Sequence, residues 1–101
     1  MELKITNNGG VVTAEFKGRL DTLAASECGS LLTPLRENAD KEIILECREL
    51  EYISSSGLRI FLGILKDVKA KGGSLTLKNV NKEIRNIFSI TGFHKLFDIA
   101  D

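Results

Sequence analysis

The chain has 101 residues, with 14 Lys and Arg balancing 14 Asp and Glu, and 43% apolar against 28% charged residues. That is the make-up of one ordinary globular domain, long enough to build a core. Without excess charge or a block of like charge, electrostatic capture of nucleic acid or an anionic membrane has no basis, and no apolar run approaches membrane-spanning length. The start, Met1-Glu2-Leu3-Lys4-Ile5, lacks the basic region and apolar block of a secretory signal, so a cytoplasmic location is expected.

Gly9-Gly10 separates two short extended stretches, residues 3–6 and 11–17. In the second, Val12, Ala14 and Phe16 alternate with Thr13, Glu15 and Lys17, the period of a half-buried strand. The pair predicts an antiparallel hairpin around Asn7-Asn8-Gly9-Gly10. After Gly18-Arg19-Leu20-Asp21-Thr22, a helix is predicted to about residue 38, with Ala24, Cys28, Leu31, Leu32 and Leu35 on one buried face. Asp21 or Thr22 can cap its start, and Pro34 predicts a kink or an end near Thr33.

Residues 42–47 form a nearly continuous apolar run, the pattern of a central strand. A second helix is predicted over residues 56–71, with Leu58, Phe61, Leu62, Leu65 and Val68 aligned; Gly72-Gly73 stops it. Residues 74–78 alternate as a strand. Asn81 can cap a third helix that aligns Ile84, Ile87, Phe88 and Thr91 and ends at Gly92. Phe93, Leu96 and Phe97 supply a closing strand or helix. The order predicts an α/β fold in a single domain over residues 1–101: a small mixed sheet of four to five strands with helices packed on it, joined by right-handed βαβ crossovers.

Ligands and partners of such sheets use the carboxyl ends of the strands, and Tyr52-Ile53-Ser54-Ser55-Ser56-Gly57-Leu58 lies beyond the carboxyl end of the central strand. A hydroxyl at a helix start can accept a hydrogen bond from a backbone N–H that has no intrahelical partner. The same place tolerates negative charge. A serine here is therefore either a cap or a phosphate acceptor.

Other chemistry is poorly supported. Neither a G-x-S-x-G elbow nor a glycine-rich phosphate cradle occurs. A small serine hydrolase would need the single histidine, His94, to reach Ser55 through the fold. Glu46, Glu49 and Glu51 read as a solvated strand end, and no metal or cofactor is expected. Cys28 and Cys47 each sit in an apolar pattern and are expected to be free, buried thiols.

Together these residues resemble the STAS domain family (sulfate transporter and anti-sigma factor antagonist), across nearly the whole chain. Gly18-Arg19-Leu20-Asp21 is similar to the family's G-x-L-D, and Tyr52 to Leu58 to its more specific serine-glycine-leucine segment. The order of elements, with the closing Gly92-Phe93 and Leu96-Phe97, agrees. In anti-sigma factor antagonists of this family, the second position of that segment is phosphorylated by a partner that is both serine kinase and anti-sigma factor. The resemblance maps that acceptor onto Ser55; Ser54 stands where aspartate is frequent. Unmodified antagonist binds the kinase, and phosphorylation weakens binding. Partner contacts are then expected at Asp21, Thr22, Ser54, Ser56, Gly57 and Arg59, with no enzyme activity and a monomer when free. Plainer roles stand beside these: Asp21 and Ser56 as helix caps, Gly57 permitting close backbone approach, Arg59 on a solvated face. The alternative expectation for this chain is a stand-alone accessory subunit or a small-ligand-sensing module of a transporter or signalling complex.

Overall fold

Gly9 and Gly10, at φ of +57° and +89°, turn β1 (Glu2–Asn8) back onto β2 (Val11–Leu20) as an antiparallel pair. β3 (Glu42–Ile53), β4 (Ser74–Lys78) and β5 (Asp98–Ala100) follow in parallel, giving a mixed sheet of order β1-β2-β3-β4-β5. The computed structural model describes residues 1–100. β2 connects to β3 through α1 (Thr22–Cys28), a 3-10 turn (Ser30–Leu32) and α2 (Thr33–Glu37). α3 (Ser55–Lys71) links β3 to β4, and α4 (Lys82–Thr91) with a 3-10 turn (Phe93–Lys95) links β4 to β5. The left-handed glycines expected at the ends of the longer helices are Gly72 and Gly92, at φ of +80° and +79°.

In-register parallel neighbours point to the same face of a sheet. Val12 and Ala14 of β2 pair with Ile43 and Leu45 of β3, which pair in turn with Leu75 and Leu77 of β4; all six are buried. The helices pack on this face, where Phe16 meets Phe61 of α3 with ring centroids 5.3 Å apart. The alternate set, including Thr13, Glu15, Ile44, Glu46, Thr76 and Lys78, is only half-buried, so the opposite face meets solvent. No helix among the described residues is long and apolar enough to cross a membrane.

Two expectations need correction. The single helix to residue 38 is broken at Gly29: the 3-10 turn rotates the register, leaving Leu31 56% exposed while Ala25 enters the core. β3 does not stop at residue 47. Register shifts at Glu15/Lys17 and Gly18/Arg19, with Gly18 at φ +96°, keep β2 paired with β3 as far as Leu20 and Ile53. Of β3, only Glu42 to Glu46 pair with β4, so the far half of β3 is an arm whose sole strand partner is β2. The expected closing element is present as the short strand β5, reached through the 3-10 turn; Phe97 stacks on Phe88 at 5.8 Å, whereas Leu96 stays 45% exposed.

Candidate functional site

The arm ends where Leu20 pairs with Ile53, and the next residue on each strand opens a helix. Asp21 caps α1, its Oδ1 accepting from Ala24 N at 2.9 Å. Ser54 caps α3, its Oγ accepting from Gly57 N at 3.1 Å. Ser54 also reaches across the arm: its backbone N–H donates to the Leu20 carbonyl at 2.9 Å, and its hydroxyl donates to the same oxygen at 3.0 Å. The two helix starts are thereby fastened together at one rim.

The cap of α3 falls on Ser54 rather than Ser56, and the helix begins at Ser55. One serine therefore takes the capping role, and Ser55 does not share it. Ser55 is exposed, and its hydroxyl has no hydrogen-bond partner among the described residues. Ser56 is half-buried in the first turn.

The remaining expected site residues divide by exposure. Thr22 and Arg59 are exposed and Asp21 is half-buried, so each offers surface beside Ser55. Ser54, 9% exposed, and Gly57 are buried and support the rim from beneath. A Cβ on Gly57 would stand 2.8 Å from both Ile53 Cγ1 and Leu20 Cγ, so only glycine lets α3 start this close to the arm. Sequence reasoning passed over Arg19 and Tyr52. They are register partners on the arm, and the guanidinium lies 4.5 Å from the ring centroid. Their only sequence signal is position, just upstream of Leu20-Asp21 and Ile53-Ser54.

The acidic residues expected at a strand end lie within β3 instead. Glu46 accepts from Asn79 Nδ2 at 2.9 Å through both carboxylate oxygens, and Glu49 pairs with Lys17 at 3.3 Å. Glu49 is the main cause of a raised Lys17 pKa, through its hydrogen bond and its charge. Both thiols are free and buried, as expected. Burial pushes the Cys47 thiol up to about 12, with Glu46 adding to the shift, and burial also raises Cys28. His94 follows α4, which runs back from the carboxyl end of β4, and so lies towards the N-terminal end of β5, on the rim opposite Ser55. Its Nδ1 lies 3.2 Å from the Phe88 carbonyl oxygen. A Ser55–His94 pair is not assembled.

A family model for the STAS domain matches residues 2–101. The chain belongs to the STAS domain family. This STAS domain is 33% identical over 101 residues to the anti-sigma-B factor antagonist of Bacillus subtilis (strain 168), an alignment covering 99% of this chain and 91% of that one. In fold it is similar to tm1081 of Thermotoga maritima, at a TM-score of 0.89 and 22% identity over 98% of this chain and 86% of that one. It is also similar to the anti-sigma factor antagonist SpoIIAA in its unphosphorylated form, at a TM-score of 0.75 and 20% identity over 99% and 88% of the two chains. For the phosphorylated form of SpoIIAA, a Bacillus cell fate determinant, the TM-score is 0.73 at 20% identity over 99% and 92%.

Proposed function

We propose that this STAS domain is an anti-sigma factor antagonist working by partner exchange. In this reading it binds an anti-sigma factor that is also a serine kinase while Ser55 is unmodified, and phosphorylation of Ser55 releases it. One observation carries the proposal: an exposed, unbonded serine hydroxyl at the first residue of α3, in a turn already capped by Ser54. The 33% identical relative, an anti-sigma-B factor antagonist, supports it.

Phosphorylation adds roughly −1.5 to −2 charges at neutral pH. At a helix N-terminus that charge gains about 0.3–1 kcal/mol from the helix dipole, so the free domain keeps its fold. A partner covering the same serine would have to desolvate the dianion. Leaving a buried charge unpaired costs about 2–5 kcal/mol, and each 1.4 kcal/mol is about tenfold in affinity. The modification is harmless to the free molecule and disruptive to the complex. Asp21, Thr22, Ser56 and Arg59 surround the switch as the proposed partner contacts.

A pull-down from native cell extract, with mass spectrometry of the bait, identifies the partner and the modified residue together. With that partner and ATP, the chain should gain phosphate on Ser55 alone, and Ser55→Ala should abolish the gain. Ser55→Glu should weaken the complex at least tenfold. Undiminished binding by Ser55→Glu and by the phosphorylated chain would refute the proposal.

A further inference from the structure

We infer that in this chain Ser54 is a positioning residue for modification at Ser55, acting through a hydroxyl that both donates and accepts, and through its lack of charge. The inference rests on Ser55 being the modified residue.

The buried Ser54 hydroxyl has one proton, given to the Leu20 carbonyl, and one accepting site in use, facing Gly57 N–H. A carboxylate in its place could still cap α3. It could not donate to Leu20, and it would set negative charge against a carbonyl oxygen that already accepts from the Ser54 backbone. Alanine would remove both bonds. Threonine keeps the hydroxyl.

The bond to Leu20 has reach because Asp21, the next residue, caps α1. Ser54 thus holds the first turns of both α1 and α3 in one arrangement and leaves the Ser55 side chain pointing into solvent. Charge completes the role. With Gly57 N–H satisfied by a neutral cap, the N–H groups of Ser55 and Ser56 are the first-turn donors left without an intrahelical acceptor. A phosphate on Ser55 would meet those donors with no anion in its own turn; Asp21 across the rim and Arg59 one turn on act on it alike in every variant at position 54. A carboxylate at position 54 would be its nearest neighbour and would oppose the second ionisation.

The test needs no kinase. Phosphoserine is installed at position 55 during synthesis by genetic encoding, in the parent chain and in Ser54→Thr, Ser54→Asp and Ser54→Ala. The phosphate is then titrated by 31P NMR, and amide exchange is followed at Asp21, Ala24 and Gly57. The parent and Ser54→Thr should titrate together, below the value of about 6 for exposed phosphoserine. Ser54→Asp should titrate about half a unit or more higher. Ser54→Ala should speed exchange at Ala24 as well as Gly57. Identical titration in the parent, Ser54→Thr and Ser54→Asp overturns the charge argument. Exchange at Ala24 that is unchanged in Ser54→Ala overturns the tie to α1. If a variant fails to fold, the parent and Ser54→Thr still decide: a parent phosphate titrating at or above about 6, or a mismatch between the two, refutes the inference. Failure of enzymatic phosphorylation would count against the proposed switch and leave these readings intact.

Discussion

Gly57→Ala tests how closely α3 approaches the arm. The added Cβ would lie 2.8 Å from Ile53 Cγ1, 2.8 Å from Leu20 Cγ and 3.0 Å from Leu20 Cδ2. Those neighbours are 2% and 0% exposed, so neither has solvent to move into. Overpacking of this kind costs about 1–3 kcal/mol. Against it stands the helix preference of alanine over glycine, about 0.5–1 kcal/mol in a helix interior, and Gly57 sits in the first turn, where the gain is smaller. The clash wins, and a net loss of about 1–2 kcal/mol is expected, or a Tm lower by roughly 5–15 °C for a domain of this size. Gly63→Ala is the control. It lies mid-helix in α3, and its nearest neighbour would be Arg36 Nη2 at 3.7 Å, an ordinary contact with the end of a flexible side chain. It should stabilise by about 0.5–1 kcal/mol. Thermal and urea unfolding of both variants measure the contrast; a Gly57→Ala chain as stable as the parent would refute the steric argument.

Ser54→Ala and Ser55→Ala should separate in stability. The first loses a cap and a buried bond, about 1–2 kcal/mol, while the second, exposed and unbonded, should stay within about 0.5 kcal/mol by urea unfolding. Cys47 should make stability fall at high pH. Its thiol is raised to about 12 in the fold from an ordinary 9.0, so the contribution is complete below about pH 9 and is lost as pH climbs towards 12. The fall in Tm between pH 8 and pH 10.5 should be shallower in Cys47→Ala, and an unchanged slope would contradict the burial argument. The Lys17–Glu49 and Arg36–Asp67 pairs, at 3.3 and 3.5 Å, are both well exposed. Lys17→Ala and Arg36→Ala should each leave the urea midpoint close to that of the parent, which denaturant titration resolves.

Most of the fold was legible because each element follows one pattern throughout. The alternation from Val12 to Phe16, the apolar stripe of α3 and the glycines at 72 and 92 are local signals, and they give β2, α3, α4 and their ends. The arm was not legible. Glu46, Arg48, Glu49 and Glu51 interrupt the apolar run, and β3 continues past them because bulges in β2 restore the pairing. A bulge has no short-range sequence signature here apart from Gly18. The break in the first helix was misplaced for a related reason: Pro34 advertised an end near Thr33, but it occupies the first turn of α2, where its missing N–H is not needed. At the site, the position of the serine run was readable and the division of labour was not. Three adjacent hydroxyls look alike in sequence. Only the long-range Leu20 carbonyl distinguishes the one that holds the structure from the one left open.

The bare side of the sheet and the two sequestered sulfurs give the molecule a practical property. Maleimide reagents should find no native target, since Cys28 and Cys47 are both enclosed and burial disfavours their thiolates. A single cysteine introduced at Thr76, on the uncovered side and away from the strand tips, then offers one handle for a fluorophore or a surface linkage. A chain anchored through it keeps its serine edge free, so binding kinetics could be recorded without the tether touching the region under study.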